Sequence, residues 1–264
     1  MVKLLRKNFL DRDELRHYLA QIHDDTDESI SPIMGGRKAC EVKLANMKPK
    51  LYGRTRNHLQ GDVTYLSPYL SRGVIAPQEV INKIKDSVDN MREAEKLVQE
   101  LTWRDFWTHV AAHRPEWLWQ DAEPYKTGWQ ATDYADTMPE DILAAQTDCA
   151  CINTFIDSLH NTGYVHNHAR MYLAAYVIHF RRVKWQVGAK WFLDHLLDGY
   201  PPSNNLSWQW VASTFSHKPY IFNLGNVDKY TGDDIDTTPD NNRPLAKTYA
   251  VLTKELFPNK RVDV

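Results

Sequence analysis

One segment of the chain carries a carboxylate, a guanidinium and two indoles at the spacing of a single helix face: Glu100, Trp103, Arg104 and Trp107. Apolar periodicity predicts a helix over residues 92–113, and positions i, i+3, i+4 and i+7 are neighbours on one side of a helix. A purely structural helix would pair its Glu with its Arg in water and bury its Trp side chains. A ligand-binding face would use the four side chains together. The segment alone leaves both interpretations open.

A second predicted helix, residues 167–183, repeats this combination, because Asn167, Arg170 and Met171 share a face. A lone arginine in such a position is most often a salt-bridge partner, and Asp198, just after the next predicted helix, is a candidate for it. The His-Asn-His run at the start of this helix lacks the i, i+4 spacing of a metal-binding histidine pair. We therefore predict no metal site.

A third polar segment begins at Asn204, four residues before Trp208, on a helix predicted over residues 204–214. We place Trp185 at the start of a turn, Trp185–Gly188, between two predicted helices. If that turn neighbours the helix of Trp208, the two indoles would lie within about 4.5–7 Å, the distance of ordinary aromatic packing. The same distance would serve single-electron transfer between the rings. The residues alone do not decide between these roles.

The elements that position these residues are predicted to be helices throughout. No stretch alternates apolar and polar residues with a period of two, and no G-x-G-x-x-G loop is present. Further helices are predicted over residues 139–161 and 188–197. We predict an all-α helical bundle in two parts, an N-terminal helical extension over residues 1–36 and a helical domain over residues 37–264.

Composition is that of an ordinary globular protein, with 264 residues, 42% of them hydrophobic and 25% charged. Its three cysteines form no C-x-x-C pair, which argues against a zinc site and a disulfide framework and for a reducing compartment. No apolar run approaches about 20 residues, and the first residues lack a signal-peptide pattern. We therefore expect a cytoplasmic protein without a membrane partner.

Positive charge is concentrated in one segment of the chain. The formal net charge of −2 indicates no nucleic-acid partner. Residues 37–56, however, hold seven Lys or Arg side chains and one acid, Glu41. Such a segment either contacts phosphates or is a solvated basic surface, and charge alone favours neither.

Several of these segments, taken in order, resemble the C-terminal FAD-binding domain of the cryptochrome/photolyase family over residues 52–230. The matching blocks are residues 65–73 (YLSPYLSRG), 100–106 (ELTWRDF), 162–171 (TGYVHNHARM), 191–199 (WFLDHLLDG), 204–210 (NNLSWQW) and 220–223 (YIFN). One block alone would be weak evidence, whereas blocks in this order and spacing are very specific.

The resemblance implies a bundle of helices around a U-shaped FAD. The residues at the family's cofactor-binding positions are Tyr52, Ser67, Arg104, Asn167, Arg170, Asp198 and Asn204. Among these, Arg170 and Asp198 resemble an ion pair beside the isoalloxazine ring, and Asn204 matches the position facing flavin N5. Asparagine at that position resembles repair enzymes, whereas many plant photoreceptors carry aspartate.

The resemblance also implies a substrate, DNA containing pyrimidine dimers. The positions similar to the DNA- and lesion-binding residues of cyclobutane-dimer photolyases hold Arg56, Glu100, Trp103, Asn167, Met171 and Trp210. The implied activity is that of a deoxyribodipyrimidine photo-lyase, in which light-excited FADH⁻ donates an electron to the dimer and receives it back. Glu100 would stabilise charge as it develops on the dimer.

The resemblance also implies catalytic roles for Asn204 and for two tryptophans. Trp208 and Trp185 match the inner two members of the family's photoreduction chain. The outer member is not clear from the sequence, and Trp129 and Tyr134 are the candidates.

Three positions depart from the family pattern, because Tyr65 replaces an arginine, Tyr200 an acid and Leu206 a glycine. The alternative is therefore a cryptochrome-like flavin photoreceptor or a DNA-binding module without repair activity. The family's preceding α/β domain has no counterpart in the sequence. We accordingly expect no built-in antenna chromophore and a preference for single-stranded DNA. We also expect a monomer, with a dimer left open.

Overall fold

The computed structural model describes residues 5–22 and 30–258, and its regular structure is helical. Within these ranges, β-type pairing is limited to one isolated bridge between Ala135 and Val183. The predicted all-α class is therefore confirmed. The chain divides into two compact units, Met1–Met34 and Gly35–Val264.

The first unit contains, in its described residues, the helix α1 (Arg12–Ala20), which buries none of its side chains. Asp11 caps this helix, since its side chain accepts a hydrogen bond from the Glu14 backbone N–H at 2.8 Å. Phe9 packs on Tyr18 with the ring centroids 5.2 Å apart. Local contacts of this kind hold the described part of the unit together.

The second unit is a bundle of helices joined by loops. Its α-helices in the described residues are α2 (Arg37–Ala45), α3 (Pro49–Thr55), α4 (Ser67–Ser71), α5 (Pro77–Ser87), α6 (Glu95–His113), α7 (Glu140–Leu143), α8 (Ala150–Thr162), α9 (Asn167–Ala175), α10 (Trp185–His195), α11 (Pro201–Ala212), α12 (Leu224–Tyr230) and α13 (Tyr249–Leu256). Short 3₁₀ turns lie at Met91–Ala94, Pro115–Leu118, Ala131–Asp133 and Pro239–Asn241, and a π-helical turn, Tyr176–Phe180, continues α9. No helix in either described range is both long and apolar enough to cross a bilayer.

Two hydrophobic clusters stabilise the second unit. The larger cluster is built on α8, α9, α10 and α11 and includes the fully buried Trp185, Tyr172 and Phe222. The smaller cluster joins α2, α4, α5 and the start of α6 through buried residues such as Leu66 and Ile84. Because α11 packs against both α10 and α6, it lies where the two clusters meet.

The close packing of α10 against α11 depends on glycine at position 188. A Cβ atom there would come within 2.3 Å of the Trp208 ring, so the indole lies directly against the α10 backbone. The same ring meets Phe192 edge-on, with the centroids 4.9 Å apart. These two contacts from α10 fix the position of Trp208.

Two helix predictions differ from the structure. The helix predicted over residues 139–161 is interrupted, because Ala145 adopts a φ of +54° and the Thr147 backbone N–H donates to Asn153 Oδ1. The turn predicted at Trp185 is instead the first turn of α10. Gly188 suggested a chain reversal there, but this glycine serves the contact with α11.

Candidate functional site

A cavity of about 540 Å³ lies in the second unit between α6, α9 and α11. Twelve of the predicted site residues line it: Tyr52, Ser67, Glu100, Trp103, Arg104, Asn167, Arg170, Met171, Asp198, Asn204, Trp208 and Trp210. The other two, Arg56 and Trp185, do not line it. A larger and more open depression of about 810 Å³, beside residues 147–153 and 240–247, contains none of the predicted residues. We therefore take the smaller cavity as the candidate site.

One wall of the cavity is a single face of α6. Glu100, Trp103, Arg104 and Trp107 all line the cavity, as their spacing predicts. Trp103 remains 44% exposed, whereas tryptophan in a purely structural role is highly buried on average. This is the arrangement expected from the ligand-binding interpretation of the face. The sequence places Trp107 on this face but indicates no site role for it.

Glu100 is held at the cavity wall by an ion pair with Arg56, whose Nη1 lies 2.9 Å from Glu100 Oε1. Arg56 directly follows α3, and Tyr52, one turn earlier, also hydrogen-bonds it. Burial raises the pKa of Tyr52 to about 12, so the phenol stays protonated at neutral pH. The second carboxylate oxygen of Glu100 has no hydrogen-bond partner in the described residues and is available to a ligand.

Arg170 and Asp198 form an ion pair in the cavity wall, with Nη2 and Oδ2 2.8 Å apart. Arg170 Nε also donates to the Val165 carbonyl at 2.7 Å. Burial opposes the charge of Arg170, but Asp198 outweighs this effect and the pKa of Arg170 is raised. Asp198 Oδ1 is buried without a hydrogen-bond partner among the residues described. Such an oxygen is costly to leave unpaired, so a ligand donor there would stabilise it.

Arg104 differs from Arg170, because no carboxylate of the described chain pairs with it. Its Nη2 donates a long hydrogen bond of 3.4 Å to the Leu70 carbonyl. Its guanidinium lies over the Tyr200 ring, 4.3 Å from the centroid, and burial lowers its pKa. A half-buried cation without a counter-ion is suited to bind an anionic group such as a phosphate.

Asn204 presents a hydrogen-bond acceptor to the cavity. It lies in the first turn of α11, which begins with two prolines, as helix N-termini favour. Its Nδ2 donates to the Ala189 carbonyl and to Asn205 Oδ1, both at 2.9 Å. Because the amide nitrogen is engaged in this way, Oδ1 is the atom that Asn204 offers to a ligand.

The two predicted electron-transfer tryptophans lie on packed helices, Trp208 on α11 and Trp185 on α10. Trp208 lines the cavity, whereas Trp185 is fully buried and donates from Nε1 to Asp121 Oδ1 at 2.6 Å. A carboxylate at this distance favours positive charge on the indole. Asp121 was missed by the sequence analysis, because a loop acid 64 residues before Trp185 gives no local signal.

Trp129 and Tyr134, the candidates for an outer electron-transfer residue, lie in the loop before α7. Trp129 donates from Nε1 to the Leu256 carbonyl at 2.7 Å. Tyr134 stacks on Tyr125 with the centroids 4.4 Å apart, and Tyr125 hydrogen-bonds the Trp185 backbone. Contacts therefore lead from Trp185 through Tyr125 to Tyr134. An electron-transfer role for Tyr134 or Trp129 stays a prediction.

The three departures from the family pattern occupy different places. Tyr200 lines the cavity and stacks with Arg104. Tyr65 lies outside the lining, with a backbone φ of +53° and its ring 5.2 Å from that of Tyr164. Leu206 is fully buried in the core. One of the three departures therefore changes the surface of the cavity itself.

These features fit a bound FAD. The volume of about 540 Å³ is typical of small-molecule sites, which combine apolar walls with a few polar groups. Arg104 would bind the diphosphate, and Asp198 Oδ1 and Asn204 Oδ1 would accept hydrogen bonds from N–H groups of the flavin. The ring of Trp208 would form part of the apolar wall beside it.

Comparison with known proteins agrees with this assignment. The model of the FAD binding domain of DNA photolyase matches residues 97–238. A deoxyribodipyrimidine photo-lyase of Streptomyces griseus is 35% identical over 164 residues, 62% of this chain and 35% of the relative. That of Vibrio cholerae is 28% identical over 228 residues, 75% of this chain and 46% of the relative. The chain thus spans less than half the length of these two curated relatives.

Solved structures share the fold. A class III photolyase of Agrobacterium tumefaciens superposes with a TM-score of 0.63 at 24% identity, covering 86% of this chain and 46% of that one. A photolyase of Sulfolobus tokodaii with two FAD molecules gives 0.65 at 22% identity, covering 92% and 54%. A Synechocystis cryptochrome gives 0.64 at 21% identity, covering 89% and 48%. Because the family model covers more than half of the chain, this protein belongs to the family of the FAD-binding domain of DNA photolyase.

Proposed function

We propose that the chain repairs cyclobutane pyrimidine dimers in DNA with the help of blue light, as a deoxyribodipyrimidine photo-lyase that holds FAD in the cavity as FADH⁻. The main support is that the lesion-binding positions Glu100, Trp103 and Trp210 line the same cavity as the cofactor-binding positions Arg104 and Asn204. When bound and excited, FADH⁻ supplies one electron to the dimer and receives it back after the ring opens. The residues of the chain bind and orient the dimer beside it.

The lesion would enter between two exposed indoles. Trp103 and Trp210 are 44% and 41% exposed, although both line the cavity. Aromatic faces of this kind stack on bases, and a base must leave its helical stack to reach such a pocket. A dimer has already lost normal stacking, so its extrusion costs less than that of an intact base pair. Met171 completes the apolar wall.

Glu100 would recognise the dimer by hydrogen bonding. Arg56 holds one of its carboxylate oxygens at 2.9 Å, which fixes the direction of the other oxygen toward an N–H group of the bound base. Because this acceptor is oriented in advance, it can stabilise the charge distribution of the reacting dimer without reorganisation. The remaining N–H groups of Arg56 can contact a neighbouring phosphate.

The proposal includes a preference for single-stranded DNA, since an unpaired dimer needs no extrusion from a duplex. The alternative function is a flavin photoreceptor without repair activity. Tyr200 supports this alternative, because it stacks with Arg104 where the family pattern has an acid. The expected absence of a built-in antenna chromophore and the division of the chain at residue 36 stay predictions.

The proposal is tested with the purified, FAD-loaded protein, reduced by dithionite under anaerobic conditions and mixed with UV-irradiated oligo(dT). We expect the absorbance at 260 nm to rise under blue light and to stay constant in the dark. The variant Glu100→Gln should repair about tenfold more slowly, the equivalent of one lost hydrogen bond to a charged group. Glu255→Gln is the control, because Glu255 pairs with Lys247 and does not line the cavity.

A light-independent signal, or no rise while FAD stays bound, would contradict repair. In the second case the photoreceptor alternative would stand.

A further inference from the structure

A continuous row of aromatic rings leads from the cavity across the surface. We call this row the aromatic strip: Trp103, Phe106, Trp107, Phe215 and Trp117. Trp103 and Trp107 line the cavity, whereas the other three lie outside it. The strip therefore continues the wall of the candidate site beyond the space that the lesion and the cofactor need.

The rings of the strip contact one another at nearly constant distances. Trp103 stacks on Trp107 with the centroids 5.6 Å apart, Trp107 meets Phe215 at 5.5 Å, and Phe215 meets Trp117 at 5.6 Å. Phe106 flanks the first two rings at 5.4 and 5.1 Å. Trp103 and Phe106 are 44% and 43% exposed. The other three rings are partly buried. The strip is thus a contiguous apolar surface that is most exposed at its cavity end, and apolar surface of this kind marks interaction sites.

Partly buried polar contacts hold the outer part of the strip in place. Phe215 lies in a turn after α11, where Ser213 has a φ of +74°. Lys126 Nζ donates to the carbonyls of Ser213 and Ser216, at 3.1 and 2.6 Å, and so closes this turn. The fully buried Gln209 donates to the Trp117 carbonyl. Phe215 and Trp117 are therefore positioned before any partner binds, which lowers the entropic cost of binding.

One cation that forms no ion pair within the described residues lies beside the outer end of the strip and favours an anionic partner there. The Arg114 guanidinium lies over the Trp117 ring, 4.1 Å from the centroid, and is itself paired with Glu116 at 2.6 Å. Lys218, three residues after Phe215, is exposed and forms no ion pair within the described residues. Asp105 is an acid beside Phe106, at the end nearer the cavity. Stacking faces combined with Arg and Lys are the features by which proteins bind single-stranded nucleic acids.

We propose that the aromatic strip is a platform on which unpaired bases next to the lesion stack, so that the protein holds single-stranded DNA along the line from Trp103 to Trp117. Bases of a duplex already stack on each other and offer no free faces, so the strip selects unpaired strands. This inference rests on the proposed function in that it takes the cavity as the lesion pocket. It adds a base-binding surface outside that pocket.

The test uses lesion-free, labelled oligo(dT) of about 16 nucleotides, a typical upper site size, and the full chain in the dark. Affinity is measured by fluorescence anisotropy for wild type, Phe215→Leu and Trp117→Leu. Leucine keeps apolar packing and removes the ring, and thermal unfolding confirms that each variant is folded. We expect each variant to bind about tenfold more weakly, as loss of one stacked base predicts. Tyr249→Leu, which removes a ring that is 44% exposed and outside the strip, should leave affinity unchanged.

An abasic strand of the same length separates stacking from phosphate contacts. Wild type should bind it more weakly than oligo(dT), and Phe215→Leu should cause no further loss. Equal binding of the two strands by wild type, or unchanged oligo(dT) affinity in both strip variants, would overturn the inference. Sedimentation showing a wild-type dimer that Phe215→Leu converts to a monomer would assign the strip to a second copy of the chain and overturn it equally.

Failure of this inference is distinguishable from failure of the proposed function. Binding of lesion-free DNA in the dark requires no repair, so strip-dependent binding without repair would contradict the repair proposal alone. Repair activity together with DNA affinity that is unchanged in the strip variants would contradict the base-binding role of the strip alone.

Discussion

The segment of residues 37–56 and the cavity wall both contain cationic side chains, seven Lys or Arg in the segment and two Arg in the wall, but these cations differ in how they are paired. Four of the seven cations in the segment pair with carboxylates: Arg37, Lys48, Lys50 and Arg56. In the cavity, Arg104 has no carboxylate partner in the described chain although it is half-buried. The more basic segment is thus largely neutralised, whereas a single cation in the cavity wall is left for a ligand.

The number of charges in a segment therefore does not measure its capacity to bind anions. Exposed cations such as Lys50, which pairs with Asp89 and Glu93, contribute little to stability because water and salt screen them. A cation or carboxylate removed from water acts more strongly, both on folding and on ligands.

Asp198→Asn should have the largest effect, because it leaves Arg170 buried without its counter-ion. We expect the free energy of unfolding of the FAD-free protein to fall by roughly 3–5 kcal/mol, measured by urea denaturation. Asp194→Asn is the matched control, since Asp194 pairs with Lys190 but both side chains are at least half exposed. If the two substitutions lowered the free energy of unfolding equally, the buried ion pair would not differ from the exposed one in its contribution to stability, which would contradict this prediction.

Acid should destabilise the protein through two buried histidines of the second unit. Burial lowers the pKa of His166 and of His179 to about 4, below the usual 6.5. The unfolded chain therefore binds protons first, so this stability is complete above about pH 6.5 and is lost as the pH falls toward 4. At pH 5, each histidine should lower the free energy of unfolding by about 2 kcal/mol.

Urea denaturation at pH 7.5 and pH 5 measures this loss. In His179→Gln, the free energy of unfolding should fall less between pH 7.5 and pH 5 than in wild type, by about 2 kcal/mol. A difference that stays the same in the variant would assign the acid sensitivity to other groups.

Arg104→Met should weaken FAD binding about thirtyfold, which corresponds to about 2 kcal/mol for a charge-assisted hydrogen bond. Equilibrium dialysis of the purified protein against FAD measures it. Arg54→Met is the control from the basic segment, because Arg54 is exposed and does not line the cavity. Comparable losses in both variants would mean that general positive charge, and not the unpaired cation in the cavity, holds the cofactor.

Lys50→Ala should have the smallest effect. Its ion pairs are exposed, so we expect the melting temperature to stay within about 3 °C of wild type, the shift that a fraction of a kcal/mol produces. Differential scanning calorimetry at low and high salt measures this. A large decrease that salt removes would show that exposed pairs in the segment stabilise the fold after all.

The helix faces could be predicted from the sequence because their information is local. Spacing at i, i+3 and i+4 placed Glu100, Trp103 and Arg104 on one face of α6, and the family's ordered blocks marked Arg170 and Asp198 as partners. The periodicity of apolar residues and the order of motifs can both be read from a single sequence. For this reason, both the all-α class and most residues of the cavity wall could be predicted from the sequence.

What sequence could not predict depends on contacts between distant segments. The acids that neutralise residues 37–56 come mostly from other helices and loops, so the segment looked more available than it is. Asp121 beside Trp185 and Tyr200 over Arg104 are tertiary contacts without a local pattern. Gly188 was misjudged for the same reason, because its role is to admit the Trp208 ring from α11.

The most direct test of the account uses a single-stranded oligonucleotide with one thymine dimer at a defined position and the reduced, FAD-loaded protein. Restored thymines are counted by chromatography after blue light and after darkness. If the cavity repairs dimers, restoration grows with the light dose and is absent in the dark. If no thymine is restored although FAD is bound and reduced, the cavity is not a repair site, and the protein is a flavin-binding member of the family with another role.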